Sequence, residues 1–194
     1  MECNLADYTS EEFESVLQRL LKRMILPPQL APEKEPGAVL LGGQSGAGKT
    51  TLHDIFRERF ADNVIVINGD EYRSLHPRFY QLQAQYGDKS VDYTAPWSGR
   101  MTEALIDALS RIGYNLIIEG TLRTAEVPLS TAEKLRQRGY AVSLALMAVK
   151  PEISLISCQL RYEQMRLAGT TPRATDPRHH MKIVDQIVQN LAVL

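Results

Sequence analysis

The sequence predicts an α/β fold, a parallel sheet covered by helices, and three observations predict it. Four short apolar runs, Ala38 to Leu41, Val64 to Ile67, Leu116 to Ile118 and Ala141 to Val149, have the length and continuity of strands buried on both faces. Each is separated from the next by material of helix-like content, the alternation produced when crossover helices join parallel strands. The first run also leads directly into a glycine-rich turn and then a helical segment. At 194 residues and 44% hydrophobic content the chain can bury one sizeable core, so one domain is expected over residues 1–194.

From Thr9 to Met24, the residues Phe13, Val16, Leu17, Leu20, Leu21 and Met24 share one face at helical spacing. Thr9 and Glu12 have the form of a capping box, so residues 1–26 are expected to hold a docked amphipathic helix. Residues 27–36 contain four prolines and read as a connecting arm, because proline can neither extend the helix nor donate within a sheet. The core of the fold is expected over 37–194. Between the second and third strands lies a long polar section, Glu71 to Ser98, with Pro77, Pro96, Trp97 and several tyrosines. It is too long for a passive connector, and its place beside the strand ends suits a substrate-binding wall; an ordinary surface insertion is the competing reading.

Lysine plus arginine number 22 against 23 for aspartate plus glutamate, a balance that supplies no global field for a nucleic-acid backbone or an anionic membrane. Neither partner is expected. The run Ala141 to Val149 falls well short of the ~20 residues that span a bilayer. Cys3 and Cys158 lack metal-ligand spacing and no secretory leader is evident, so the expected location is the reducing cytoplasm.

Residues Gly43-Gln44-Ser45-Gly46-Ala47-Gly48-Lys49-Thr50 match G-x-x-x-x-G-K-[ST] in the required context, after a strand and before a helix starting at Thr50. Glycines open backbone angles closed to other residues, so successive N–H groups can point inward and cradle phosphates at a helix N-terminus, with Thr51 following in its first turn. Lys49 would reach the β and γ phosphates. The Thr50 hydroxyl would ligate Mg²⁺, which implies a metal nucleotide rather than a dinucleotide.

The second strand ends in Ile67-Asn68-Gly69-Asp70 and sets a carboxylate at the sheet edge that also carries the phosphate loop. Asp70 is therefore a candidate general base for an acceptor hydroxyl, with an N-cap for the next helix as its competing role. The third strand runs into Glu119-Gly120-Thr121, where P-loop enzymes carry the acid that serves Mg²⁺; glutamate at 119 is expected to act through water or on substrate. Between Arg161 and Lys182 the chain concentrates positive charge, and Arg161 and Arg173 flank a turn-prone stretch, Leu167 to Pro172, suited to a lid. Guanidinium groups carried there would stabilise transferring phosphate; a solvated basic helix face is the alternative.

The ordered set Leu41 to Thr51, Asn68-Gly69-Asp70-Glu71-Tyr72-Arg73 with His76-Pro77, Ile118 to Thr124, Arg161-Tyr162-Glu163 and Arg173-Ala174-Thr175 resembles the zeta-toxin-type kinases of bacterial toxin–antitoxin systems, in particular their pneumococcal branch. The resemblance covers most of the chain. It implies a fold like that of nucleotide monophosphate kinases with an arginine-bearing lid, ATP or GTP with Mg²⁺ as cofactors, and the 3′-hydroxyl of the sugar of UDP-N-acetylglucosamine as acceptor. It implies Asp70 as base, Lys49 and Thr50 on nucleotide and metal, Arg161 and Arg173 on the transferred phosphate, and substrate contacts from Arg73, Glu103, Glu119, Thr121 and Arg123. It also implies an antitoxin supplied as a separate chain. Two departures stand out: Asn68 occupies a position where related chains often have aspartate, and related toxins usually continue past Leu194. Two other readings of the core chemistry remain, a kinase of another small molecule such as an antibiotic or nucleoside, and a nucleotide-binding protein with little activity.

Overall fold

A computed structural model describes residues 4–27, 29–170 and 175–194. Helix α1 (Ser10–Ile25) opens with the expected capping box: Thr9 Oγ1 accepts from the Glu12 backbone N–H, and the Glu12 carboxylate accepts from that of Thr9. Its buried residues Phe13, Val16 and Leu17 join the main core. The arm that follows forms neither helix nor strand among the described residues, and it is tied down where Asn63 Oδ1 accepts from the Ala31 N–H and Gly113 O accepts from that of Glu33.

All four expected strands form, β1 (Gly37–Gly42), β2 (Ile65–Asn68), β3 (Leu116–Glu119) and β4 (Ala141–Leu146), and they pair in parallel in the order β2-β3-β1-β4. Leu41 and Asn68 both lie beside Glu119 in register, so the tips of β1, β2 and β3 end along one edge. The chain leaves β1 toward β2 on one side and reaches β4 on the other. That reversal opens a crevice beyond the β1 tip, the usual ligand position in an open α/β sheet. The apolar run predicted as β4 extends to Val149, but the strand stops at Leu146. Its last residues turn back over the β1 tip, where Gly42 O accepts from the Met147 N–H and Val149 O accepts from the Gln44 side chain.

Helices α2 (Thr50–Arg59), α3 (Gly69–Tyr72), α4 (Phe79–Tyr86), α5 (Ser90–Ile112), α6 (Glu126–Gln137), α7 (Pro151–Leu167) and α8 (Pro177–Leu191) complete the described structure. The polar section after β2 is therefore largely helical rather than a loop, and its last residues are the first turns of α5, which continues through Pro96. Pro96 and Asp92, whose carbonyl loses its helical donor, are both exposed, so water can satisfy the orphaned oxygen. One residue on, Trp97 is fully buried, donates to Tyr72 O at 3.0 Å, and packs edge-on against Tyr8, Phe13 and His76. Aromatic packing thus folds the section against α1. Among the described residues, no helix is long and apolar enough to cross a membrane.

Asp107 on α5 binds α6 through charge. Its carboxylate accepts from Arg111 at 2.9 Å and Arg138 at 2.5 Å and lies 3.2 Å from Lys134 Nζ. The Arg111 and Arg138 hydrogen bonds, with help from Lys134, hold its pKa well below the usual carboxylate range. A carboxylate pKa depressed by folding contributes stability that is present above its unfolded value and lost as pH falls toward the folded value. Asp107→Asn should therefore cost about 1 kcal/mol at neutral pH, given the partial exposure of the network. In urea titrations at several pH values, the gap to wild type should narrow below about pH 4.

Candidate active site

The turn after β1 takes its shape from its glycines. Gly46 and Gly48 have φ of +78° and +84°, the left-handed region that L side chains rarely adopt. At Gly46 space is also closed, since a Cβ would strike the Ser154 carbonyl oxygen and stand 2.8 Å from Cys158 Sγ on α7. At Gly48 nothing lies within 4 Å of an added Cβ, so that side of the turn is open. The turn closes where Gln44 O accepts from the Ala47 N–H, and α2 begins at Thr50, as the motif requires. Ser45 is half-buried, while the Thr50 and Thr51 side chains stand at the exposed helix start.

Lys49 folds back over this turn. Its Nζ donates to Gly43 O at 2.9 Å and Gln44 O at 3.2 Å, and Glu119 Oε1 lies 3.6 Å away. The side chain is only 8% exposed. Burial pushes its pKa down, Glu119 and Asp70 pull it back up, and Arg161 pushes it down again. Residues from the β1 turn, the β2 tip, the β3 tip and α7 thus act on one ammonium group. Glu119 lies between Lys49 and His53, whose Nε2 is 3.0 Å from Oε2 but out of line for a hydrogen bond. His53 was not anticipated. Its only sequence signal is its place four residues after Lys49, one turn into α2 and on the same face.

At the β2 tip the cap of α3 is Asn68, not Asp70: the Asn68 side chain accepts from the Asp70 N–H at 3.1 Å. That frees the Asp70 carboxylate from the competing capping role. Arg73 holds it instead, donating to Oδ1 at 3.0 Å while a second guanidinium nitrogen reaches Val91 O at 2.6 Å. The Asp70 side chain remains 54% exposed, open to a ligand from the crevice.

After β3, Thr121 is half-buried and Arg123 exposed, and between them Leu122 adopts φ of +53°, a strained value for leucine. Packing on Ile183 and Ile187 of α8 and an Asn190 amide donating to Leu122 O at 2.8 Å hold it there. Glu103 is exposed on α5 and lines a groove against α1 with Ser10, Glu14, Arg100 and Lys134. Arg161 is exposed on α7, and Arg173 lies outside the described residues, as do Thr171 and Pro172 of the expected lid. The neighbouring Arg166 pairs with Glu163 at 2.8 Å on the helix surface, as a solvated basic face would.

A turn with glycines at positive φ, a helix N-terminus and a buried ammonium suit a polyphosphate. Thr50 at the start of α2 offers a hydroxyl that could ligate a divalent cation, while the Glu119 carboxylate lies 3.6 Å from Lys49 Nζ and 3.0 Å from His53 Nε2. Among the described residues, no cluster of His, Cys, Asp or Glu could hold a metal ion unaided, so a cation here would take most of its ligands from phosphate and water.

The zeta toxin family profile matches residues 22–194. The chain belongs to the zeta toxin family. It is 46% identical over 187 residues to Toxin PezT of Streptococcus pneumoniae, covering 96% of this chain and 73% of that protein. It is 40% identical over 192 residues to a Toxin zeta of Streptococcus agalactiae, covering 98% and 66%. A solved structure from the PezAT chromosomal toxin–antitoxin system of S. pneumoniae superimposes with a TM-score of 0.87 at 44% identity, covering 99% of this chain and 74% of that one. A chain of an RNA repair complex, at 23% identity and a TM-score of 0.60, shares the fold alone. The fold of this zeta toxin family member is P-loop kinase-like, and membership carries nucleotide-dependent, kinase-like chemistry as the coarse assignment.

Because burial opposes the charge on Lys49, its ammonium is held at a cost that ligand binding would offset. Lys49→Met should weaken nucleotide binding at least ~10-fold while leaving the melting temperature of the nucleotide-free protein at or above wild type, a trade common at functional sites. Calorimetric titration with MgATP and a thermal melt of the same sample check both halves.

Proposed function

We propose that the protein transfers the γ-phosphate of ATP or GTP, with Mg²⁺, to the 3′-hydroxyl of the sugar of UDP-N-acetylglucosamine, and acts as the cytoplasmic toxin of a toxin–antitoxin pair restrained by a separate antitoxin chain. The observation that supports the reading is geometric: the β1 and β2 tips, which lead into the Lys49 turn and Asp70, lie on either side of Glu119 in register, and Glu119 stands 3.6 Å from the Lys49 ammonium. The names of the relatives support the toxin role, and the PezAT structure supports an antitoxin partner.

In this reading Asp70, oriented by Arg73, accepts the hydroxyl proton as the acceptor oxygen bonds to the γ-phosphorus and the bridging P–O bond to the β-phosphate breaks. Lys49 leaves the Gly43 and Gln44 carbonyls for the β and γ oxygens. The residues Gly43 to Thr51 hold the remaining phosphates through backbone N–H groups. Arg161 and Arg173 spread the charge that develops on the transferring group. Mg²⁺, when bound, would be held by Thr50 and through water by Glu119, and would supply charge neutralisation between the β and γ phosphates. Thr121, Arg123, Glu119 and Glu103 contact the acceptor.

The test incubates the protein with MgATP and a panel of acceptors and measures ADP and phosphorylated product. Product only with UDP-N-acetylglucosamine is the expected result; product from an antibiotic or a nucleoside instead would move the assignment to another small-molecule kinase, and binding without turnover would reduce the protein to a nucleotide binder. Asp70→Ala should keep its affinity for ATP and lose transfer by at least ~100-fold, the usual worth of general-base assistance. Full transfer in that variant would remove Asp70 from the reaction.

A further inference from the structure

The phosphate loop rests on a buried polar chain that the transfer chemistry does not use. Gln44, 4% exposed, donates from Nε2 to Val149 O at 2.7 Å and reaches Ser154 Oγ on α7 at 3.4 Å. Ser154, fully buried, in turn contacts His180 Nε2 on α8 at 2.9 Å, and His180 is 1% exposed. A serine has one hydroxyl proton, and here it goes to Pro151 O at 2.9 Å. With its proton on Pro151 O, the Ser154 oxygen accepts from Gln44 and from a His180 that carries its proton on Nε2, an arrangement that a glutamine amide can reproduce. Its Nδ1 is buried with no hydrogen-bond partner among the described residues.

A leucine and an alanine would fill this space without an unsatisfied nitrogen, so packing alone does not account for the pair. What the pair supplies is direction. It registers α8 on α7, and α7 in turn touches the loop at a second point, where Gly46 lies against the Ser154 carbonyl and Cys158 Sγ. Any movement of the Ser154 turn therefore acts on the loop at both Gln44 and Gly46. His180 also stands four residues past Asp176, the side-chain cap of α8.

We infer that His180 is a positioning residue for the phosphate loop: acting through Ser154, it sets the Gln44 and Gly46 backbone, so that nucleotide affinity depends on a side chain on α8 that touches no nucleotide. The inference rests on the proposed binding of nucleotide by that loop. MgATP affinity of the full chain is measured by calorimetry for wild type, His180→Leu, Ser154→Ala, the double variant, His180→Gln and Leu135→Val, each with a thermal melt. His180→Leu and Ser154→Ala should each weaken binding about 5-fold, and the double variant should be no weaker than the worse single, as for two members of one chain. His180→Gln, which can still present an N–H to Ser154, should stay within about 2-fold of wild type. Leu135→Val, fully buried in the main core on α6 and away from the loop, should lower the melting temperature and leave affinity unchanged. Wild-type affinity in Ser154→Ala, multiplying losses in the double variant, no rescue by glutamine, or an equal affinity loss in Leu135→Val would each overturn the inference. If His180→Leu does not fold, Ser154→Ala and His180→Gln decide it. An affinity that Lys49→Met leaves untouched would instead show that nucleotide binds elsewhere, a failure of the underlying reading and recognisable as such.

Discussion

The ammonium of Lys49 is taken out of water at the tip of β1, and much of the surrounding architecture can be understood from the cost of keeping it there. Desolvation disfavours the charge, so the site supplies two carbonyls of the turn and the carboxylates of Glu119 and Asp70. Those carboxylates come from β3 and β2, which only a sheet with β1 beside β3 brings to one edge. A nucleotide's terminal phosphates would provide the same compensation more strongly, and the lysine would exchange carbonyl oxygens for phosphoryl oxygens with little displacement. The arrangement is thus preorganised for an anion.

Preorganisation extends to the carboxylate of Asp70. Arg73 fixes Asp70 from within the α3 region and is itself fixed by the Val91 carbonyl at the start of α5. Asn68 takes over the capping that an aspartate at the helix start would otherwise perform. Because the arginine donates to one oxygen, the other stays available to a hydroxyl, and the negative charge is steadied without being consumed.

The C-terminal helices support the site from behind. Helix α7 presses against Gly46 and receives Gln44, while α8 holds the strained Leu122 between Thr121 and Arg123 through Ile183, Ile187 and Asn190. One helix thereby steadies the segment after β3 and, through the Ser154–His180 pair, the turn after β1. Strain at Leu122 and a His180 nitrogen buried with no hydrogen-bond partner among the described residues are local costs that the surrounding packing tolerates, a pattern expected where geometry matters more than stability.

By itself the sequence determined the four strands, the first helix with its capping box, the glycine turn and the lysine and aspartate that follow the β1 and β2 tips. Those features are local: apolar runs, glycine at positions of positive φ, and a carboxylate two residues past a strand leave their mark within a few positions. The helical nature of the section from Glu71 to Ser98 was not legible, because Pro96 and the polar residues of its exposed face masked a periodicity that Trp97, packed on Tyr8 and Phe13, imposes from outside. The end of β4 at Leu146 was hidden for a similar reason, since the Val149 carbonyl is claimed by Gln44. Only the tertiary structure decided that Glu119 sits between Lys49 and His53, that Arg73 pins Asp70, and that His180 reaches Ser154. Each depends on distances between elements far apart in the chain, which follow from sheet order and helix packing and leave no period in the sequence.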